Sequence, residues 1–254
     1  MAVALLILTA AFGLYPLGMM IGLRGMGSRL NYRDAYFAYH SSQLAKYLPG
    51  RVWIIPGRAV VLQRYQVDPV LGGASALLDS YMLVVAGSIV FIPYLFFAEQ
   101  SGLRNMGIFG LILTIPAVLL IFLPRLLNQI FSLGMKLLGR TAAEIKFSSA
   151  HLLMMLGIFL IFWMISGFGF YYLAGSITPL EFSDYPLFAG VMGFSWVVGF
   201  VSFLTPAGFG VREGTMSFLL ASLIAAPLPA LMSILARFWW SLAEFGSIGL
   251  AFLF

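Results

Sequence analysis

Long apolar stretches run the length of the chain and are broken at intervals by short charged clusters. The first, Ala2 to Leu23, is long enough to span a bilayer and carries Pro16 as a kink point. It lacks the basic start and small-residue cleavage site of a signal peptide, so it reads as a transmembrane helix. Ala35 to Leu48 and Val52 to Leu62 follow. At about 1.5 Å per residue neither crosses a hydrocarbon core of ~30 Å, and a Pro-Gly break separates them. A re-entrant helical hairpin is the economical reading. Leu71 to Phe97, with Asp79 inside it and Pro93 late in it, and Gly107 to Leu123 read as full spans. Leu126 to Leu138 repeats apolar residues at helical spacing between basic ones, which is the pattern of a helix lying at an interface. His151 to Ala174 spans again. Pro186 to Leu204 and Val211 to Ala225 flank a second break and form a second hairpin, and Leu228 to Phe254 is the last span, carrying Arg237 and Glu244.

The loops orient these segments. Arg24, Arg29, Arg33, Arg58, Arg64, Arg125, Lys136, Arg140 and Lys146 fall on one side and only Arg104 on the other, nine against one, which places the first set in the cytoplasm. The N-terminus is then outside and the C-terminus cytoplasmic, in a cell (inner) membrane crossed several times. The two hairpins enter from opposite faces, with Pro49 and Pro206 about 157 positions apart, the arrangement of an inverted repeat. The expected architecture is an all-α polytopic bundle with two broken-helix hairpins. It forms one domain over 1–254, with halves at about 1–123 and 150–254 and an amphipathic connector at about 125–147.

Composition agrees. Of 254 residues 61% are hydrophobic and 9% charged, and a mean hydropathy of +1.00 lies far above that of a soluble domain. The length suits roughly six to eight spans. The net charge of +5 is accounted for by cytoplasmic loops and calls for no nucleic acid. Cysteine is absent, which removes disulfides, thiol nucleophiles and thiolate metal sites. His40 and His151, far apart in sequence, make no metal site, and no cofactor is expected.

The breaks carry the chemistry: Lys46-Tyr47-Leu48-Pro49-Gly50-Arg51 and Thr205-Pro206-Ala207-Gly208-Phe209-Gly210-Val211-Arg212-Glu213. Backbone polar groups freed at membrane depth survive only where protein or a wet cavity satisfies them. Both breaks therefore point to a transport path or ligand site. Lys46, Arg51, Asp79, Arg212, Glu213, Arg237 and Glu244 all lie in or beside membrane segments. At roughly 2.5 to 3.5 kcal/mol each, exposing seven to lipid costs on the order of 20 kcal/mol, so most face inward. Glu213 suits the positive end of the second half-helix, whereas Arg212 there needs another anion. Asp79 is placed for a salt bridge with Lys46, Arg51 or Arg58. Arg237 and Glu244, seven apart, share a helix face. Gly208 and Gly210 permit a backbone break beside Pro206. A phosphate fits such a set, because Arg offers paired donors and a freed helix start offers N–H groups. The aromatic residues read as interfacial anchors or packing, and none is assigned a binding role.

At these motifs the chain resembles the lysylphosphatidylglycerol synthase transmembrane family, the flippase-like domain that forms the membrane half of multiple peptide resistance factors. The matching residues are Lys46-Tyr47-Leu48-Pro49-Gly50, Val52-Trp53, Gly57-Arg58, and Pro206-Ala207-Gly208-Phe209-Gly210-Val211-Arg212-Glu213-Gly214. The resemblance implies a re-entrant helical fold that moves lipids, aminoacylated phospholipids or polyprenyl-linked saccharides, between leaflets. Many members carry a further helix ahead of the first segment, without counterpart in these residues, and Asp79-Ser80 stands where many have an acidic residue followed by Arg. A soluble aminoacyl-transfer domain has no counterpart either.

The leading expectation is a lipid translocase and not an enzyme. Its substrate-binding set is Lys46, Pro49, Gly50, Arg51, Arg58, Asp79, Pro206, Gly208, Gly210, Arg212, Glu213, Arg237 and Glu244, and its partner is an anionic or aminoacylated phospholipid headgroup or a polyprenyl phosphate. The alternatives are a non-transporting partner of a glycosyltransferase or lipid synthase, and a membrane-embedded lipid-modifying enzyme, for which no Ser/His/Asp set, phosphate loop or metal cluster is evident.

Overall fold

The structure is a computed structural model that describes residues 1–47, 53–97, 115, 118–119, 121–137, 147–202 and 208–253. Among the described residues every regular element is helical. In chain order these are α1 (Ala2–Phe12), α2 (Leu14–Gly25), α3 (Tyr32–Ser42) with a 3₁₀ extension over Gln43–Tyr47, α4 (Ile54–Gln63), α5 (Pro69–Val90) and α6 (Ile92–Phe97). They continue as α7 (Pro124–Leu137), α8 (Ser149–Ala174), a 3₁₀ turn over Phe182–Asp184, α9 (Tyr185–Val201), α10 (Val211–Leu220) and α11 (Leu228–Ala251).

Four helical runs are long and apolar enough to cross a membrane: Ala2–Gly25, Pro69–Phe96, Ser149–Ala174 and Phe182–Val201. The first turns at Gly13. Pro16 has no N–H for the Phe12 carbonyl and its ring crowds that carbonyl, so the helix breaks there and resumes. Pro93 acts likewise between α5 and α6. Of the expected span Gly107 to Leu123, most lies outside the described residues. Helices α4 and α10 have 10 residues each, about 15 Å, half of what a crossing needs. At 24 residues α11 is long enough, but Arg237 and Glu244 keep it out of the most apolar group.

Local chemistry sets the ends. Asn31 caps α3 by accepting the Asp34 N–H at 2.8 Å, Asp68 caps α5 at the Val70 N–H with Pro69 next, and Ser148 caps α8. The second half-helix stops at Leu220, short of the expected Ala225. Tyr94 of α6 donates to the Leu219 carbonyl at 2.8 Å and Ser222 competes for the same oxygen, closing the helix end. Of the expected connector, residues 138–146 lie outside the described residues; α7 is an amphipathic helix, and Asn128 fixes it to the Phe147 backbone ahead of α8.

At the centre α8 packs against α1, α2, α5 and α9, while α11 packs against α1, α3 and α10. Small residues let these helices meet. A Cβ on Gly167 would stand 2.4 Å from the Ala189 Cβ and 2.5 Å from its Cα, and one on Gly193 would stand 3.0 Å from the Gly87 carbonyl. Gly167→Ala therefore pushes α8 from α9, since backbone cannot swing aside as a side chain does. A loss of about 1–3 kcal/mol is expected, read as earlier thermal unfolding in detergent. Gly157→Ala, with open space around it, should leave the midpoint unchanged.

Candidate functional site

Arg58 on α4 is 1% exposed and fully committed. Its Nε donates to Ser42 Oγ at 2.7 Å and its Nη1 to Asp79 Oδ2 at 2.9 Å, and the guanidinium lies over the Tyr39 ring, 4.2 Å from its centroid. Tyr39 in turn stacks on Tyr15. The approach is permitted by Gly72 of α5, where a Cβ would sit 2.9 Å from Ala59 Cα, and by Gly57, where one would meet Ala45. Asp79 thus finds one of the three cations expected for it.

Lys46, at the end of the 3₁₀ extension, donates to Glu244 Oε1 of α11. Tyr47 Oη adds a longer bond to Glu244 Oε2 at 3.3 Å, and its ring stacks on Phe245. The Lys46 bond joins residues 198 positions apart and the Tyr47 bond residues 197 apart.

At the second break the backbone of Gly208 has φ +72 and that of Gly210 φ +82, a left-handed conformation that side chains resist. The Gly210 N–H donates to Glu213 Oε2 at 2.7 Å, so Glu213 caps α10 as its position in sequence indicates. Its other oxygen lies 3.5 Å from Arg237 Nε, and Arg237 covers the Phe209 ring.

Arg212 differs. It is 5% exposed, lies over the Trp240 ring at 4.4 Å, and reaches Met192 Sδ at 3.9 Å. Gly199 makes room for it, since a Cβ there would stand 2.8 Å from Arg212 Cβ. Among the described residues no carboxylate stands within ion-pair distance of it.

These groups meet at one cavity of about 90 Å³. Its walls include Lys46, Arg58, Asp79, Arg212, Arg237 and Glu244, six of the residues singled out from sequence, and Glu213 adjoins it through Arg237. Pro49, Gly50, Arg51 and Pro206 lie outside the described residues. Four cations thus face three carboxylates. Each carboxylate is within ion-pair distance of a cation, and Arg212 is left over.

Much of the remaining lining was missed in sequence, notably Tyr15, Tyr39, His40, Gln43, Trp196 and Trp240. A helical signal for part of it exists. Arg237, Trp240, Ser241 and Glu244 fall at i, i+3, i+4 and i+7, as do Ala76, Asp79, Ser80 and Leu83, and Tyr39, Gln43 and Lys46 at i, i+4 and i+7. Extending the charged positions along their own faces would have found Tyr39, Gln43, Trp240 and Ser241, but not Phe12, Tyr15, Trp196 and Phe200, whose helices carry none of the charged site residues. Among the described residues no group of three or more His, Asp or Glu is placed to hold a metal ion.

Among the described residues, fold and cavity together define an all-helical protein of membrane type, with paired charges and one guanidinium, that of Arg212, without a carboxylate in reach. No family model matches the chain, and no curated protein matches it.

Proposed function

We propose that this chain translocates a lipid headgroup, that of a phospholipid or a polyprenyl-linked lipid, between leaflets through the charged cavity. The observation that carries this reading is Arg212, a buried cation whose partner among the described residues is an aromatic face and not an anion. A buried charge without counter-charge is costly, and a phosphate arriving in the cavity supplies one. Headgroup transport without chemistry also accords with the resemblance to the lysylphosphatidylglycerol synthase transmembrane family.

In this reading α3 to α4 and α9 to α10 are re-entrant hairpins related as an inverted repeat. Each ten-residue helix is tied by an ion pair to the long helix that follows it: Arg58 to Asp79 in the first half, Glu213 to Arg237, with the signs exchanged, in the second. The chain acts as one membrane domain in a cell membrane, N-terminus outside and C-terminus cytoplasmic. The bond from Lys46 to Glu244 joins the halves and must open as they move.

One observation favours a second reading. Three of the four cavity cations already sit beside a carboxylate, as in a closed scaffold that docks a glycosyltransferase or lipid synthase. Reconstitution separates the two. Proteoliposomes carrying headgroup-labelled phosphatidylglycerol or a polyprenyl phosphate should expose inner-leaflet label faster than empty vesicles. Equal rates with folded protein across the panel would overturn translocation and leave the scaffold.

A further inference from the structure

Two buried polar atoms of the lining residues stand outside the cavity's ion pairs and have no hydrogen-bond partner among the described residues: His40 Nε2 and Asp79 Oδ1. His40 is 1% exposed and Asp79 2%. Buried polar atoms without partners are rare, so a ligand in the cavity is expected to satisfy them. Their chemistry restricts it. Because Arg58 already holds the Asp79 charge through Oδ2 at 2.9 Å, Oδ1 offers an acceptor without an unmatched negative charge. The imidazole of His40 lies among the rings of Phe12, Tyr36 and Tyr39, and its Nε2 donates or accepts according to tautomer. A hydroxyl can answer either atom, since it donates to the Asp79 oxygen and can donate or accept at the His40 nitrogen.

Charge narrows the class again. Among the described residues, with His40 neutral, four cations and three carboxylates leave the cavity region one positive charge in excess. A headgroup of net charge −1 cancels it. A zwitterion leaves it standing and a cationic headgroup doubles it, in a largely buried site.

We infer that the cavity selects a phosphodiester headgroup of net charge −1 bearing hydroxyls, with phosphate at Arg212 and a hydroxyl at Asp79 Oδ1 and His40 Nε2, and that it rejects zwitterionic and aminoacylated headgroups. This rests on reading the cavity as a headgroup site. Glycerol phosphodiesters and prenyl-phosphate-linked sugars share the required chemistry. The cavity of about 90 Å³ has room for several waters, so headgroup atoms enter in their place while acyl or prenyl chains stay outside.

The test is binding of water-soluble short-chain lipids to the full-length chain in detergent, read by tryptophan fluorescence, since Trp196 and Trp240 line the cavity. The probes are dihexanoyl phosphatidylglycerol, phosphatidylmethanol, phosphatidylethanolamine and lysyl-phosphatidylglycerol, with a short prenyl phosphoryl-hexose to separate the two sources. The glycerol lipid or the prenyl sugar should bind about tenfold or more tighter than phosphatidylmethanol, which has the charge without the hydroxyls, and tighter still than the ethanolamine and lysyl lipids. In His40→Leu and in Asp79→Asn the ratio of glycerol to methyl affinity should fall toward one, whatever the absolute affinities do. Equal wild-type affinity for the methyl lipid and both hydroxyl-bearing probes, or tightest binding of the lysyl lipid, overturns this selectivity and leaves the headgroup site standing. Failure of every anionic lipid to bind overturns both.

Discussion

Arg212→Ala is expected to abolish headgroup translocation while leaving the protein folded. The guanidinium is buried, Trp240 covers one of its faces, and Met192 Sδ at 3.9 Å is a weak acceptor. Its loss therefore breaks no ion pair present among the described residues. For a phosphate in the cavity the loss is large, because a charge-assisted hydrogen bond contributes about 1.5–3 kcal/mol and a bidentate pair more. About 3 kcal/mol corresponds to roughly a hundredfold in affinity or rate. Arg212→Lys keeps the charge but gives up the planar fork and its stacking on Trp240, so an intermediate loss of about tenfold is expected. The check is translocation in proteoliposomes beside thermal unfolding in detergent. Wild-type rates in both variants would remove Arg212 from the path and favour a scaffold.

That Arg212 stands unfavourably for a cation was legible in sequence, because a cation at the start of a half-helix opposes the helix dipole. Which cations were already taken was not. The pairing of Asp79 with Arg58, and not with Lys46, depends on how closely α4 approaches α5, and that distance is set by Gly72 against Ala59. Arg58, placed in the substrate-binding set from sequence, donates to Ser42 and Asp79 and lies over the Tyr39 ring. The capping role of Glu213 follows from local spacing, so it could be read in advance and appears as expected. The short length of α4 and α10 was also local information, carried by Pro and Gly positions. By contrast, the aromatic lining required knowing which face of each helix turns inward, and in a chain this apolar nearly every face looks alike. The charged residues supply the missing phase. Arg237 and Glu244 point Trp240 and Ser241 into the cavity, and Asp79 does the same for Ala76 and Leu83.

Asp79→Ala is expected to be the most destabilising of the cavity substitutions. The side chains of Arg58 and Asp79 are 1% and 3% exposed, so removing the carboxylate leaves a buried guanidinium without its counter-charge. Breaking a buried pair in this way costs about 3–5 kcal/mol, much of it the penalty of the orphaned charge. The origin of that penalty gives the prediction its control. In the double variant Arg58→Met with Asp79→Leu no charge is stranded, and most of the lost stability should return, because a well-packed apolar pair often equals or exceeds a buried ion pair. Glu213→Gln should cost much less. The amide oxygen it introduces can still accept the Gly210 N–H, and Arg237 keeps partial access to water with a side chain 14% exposed. Thermal unfolding of the three variants in one detergent decides the matter. Stability ordered as Glu213→Gln, then the double variant, then Asp79→Ala establishes the Arg58 and Asp79 pair as a fixed post of the cavity wall. If Asp79→Ala unfolds with the wild type, Arg58 has another counter-charge or a path to water, and Asp79 is free to take part in ligand exchange.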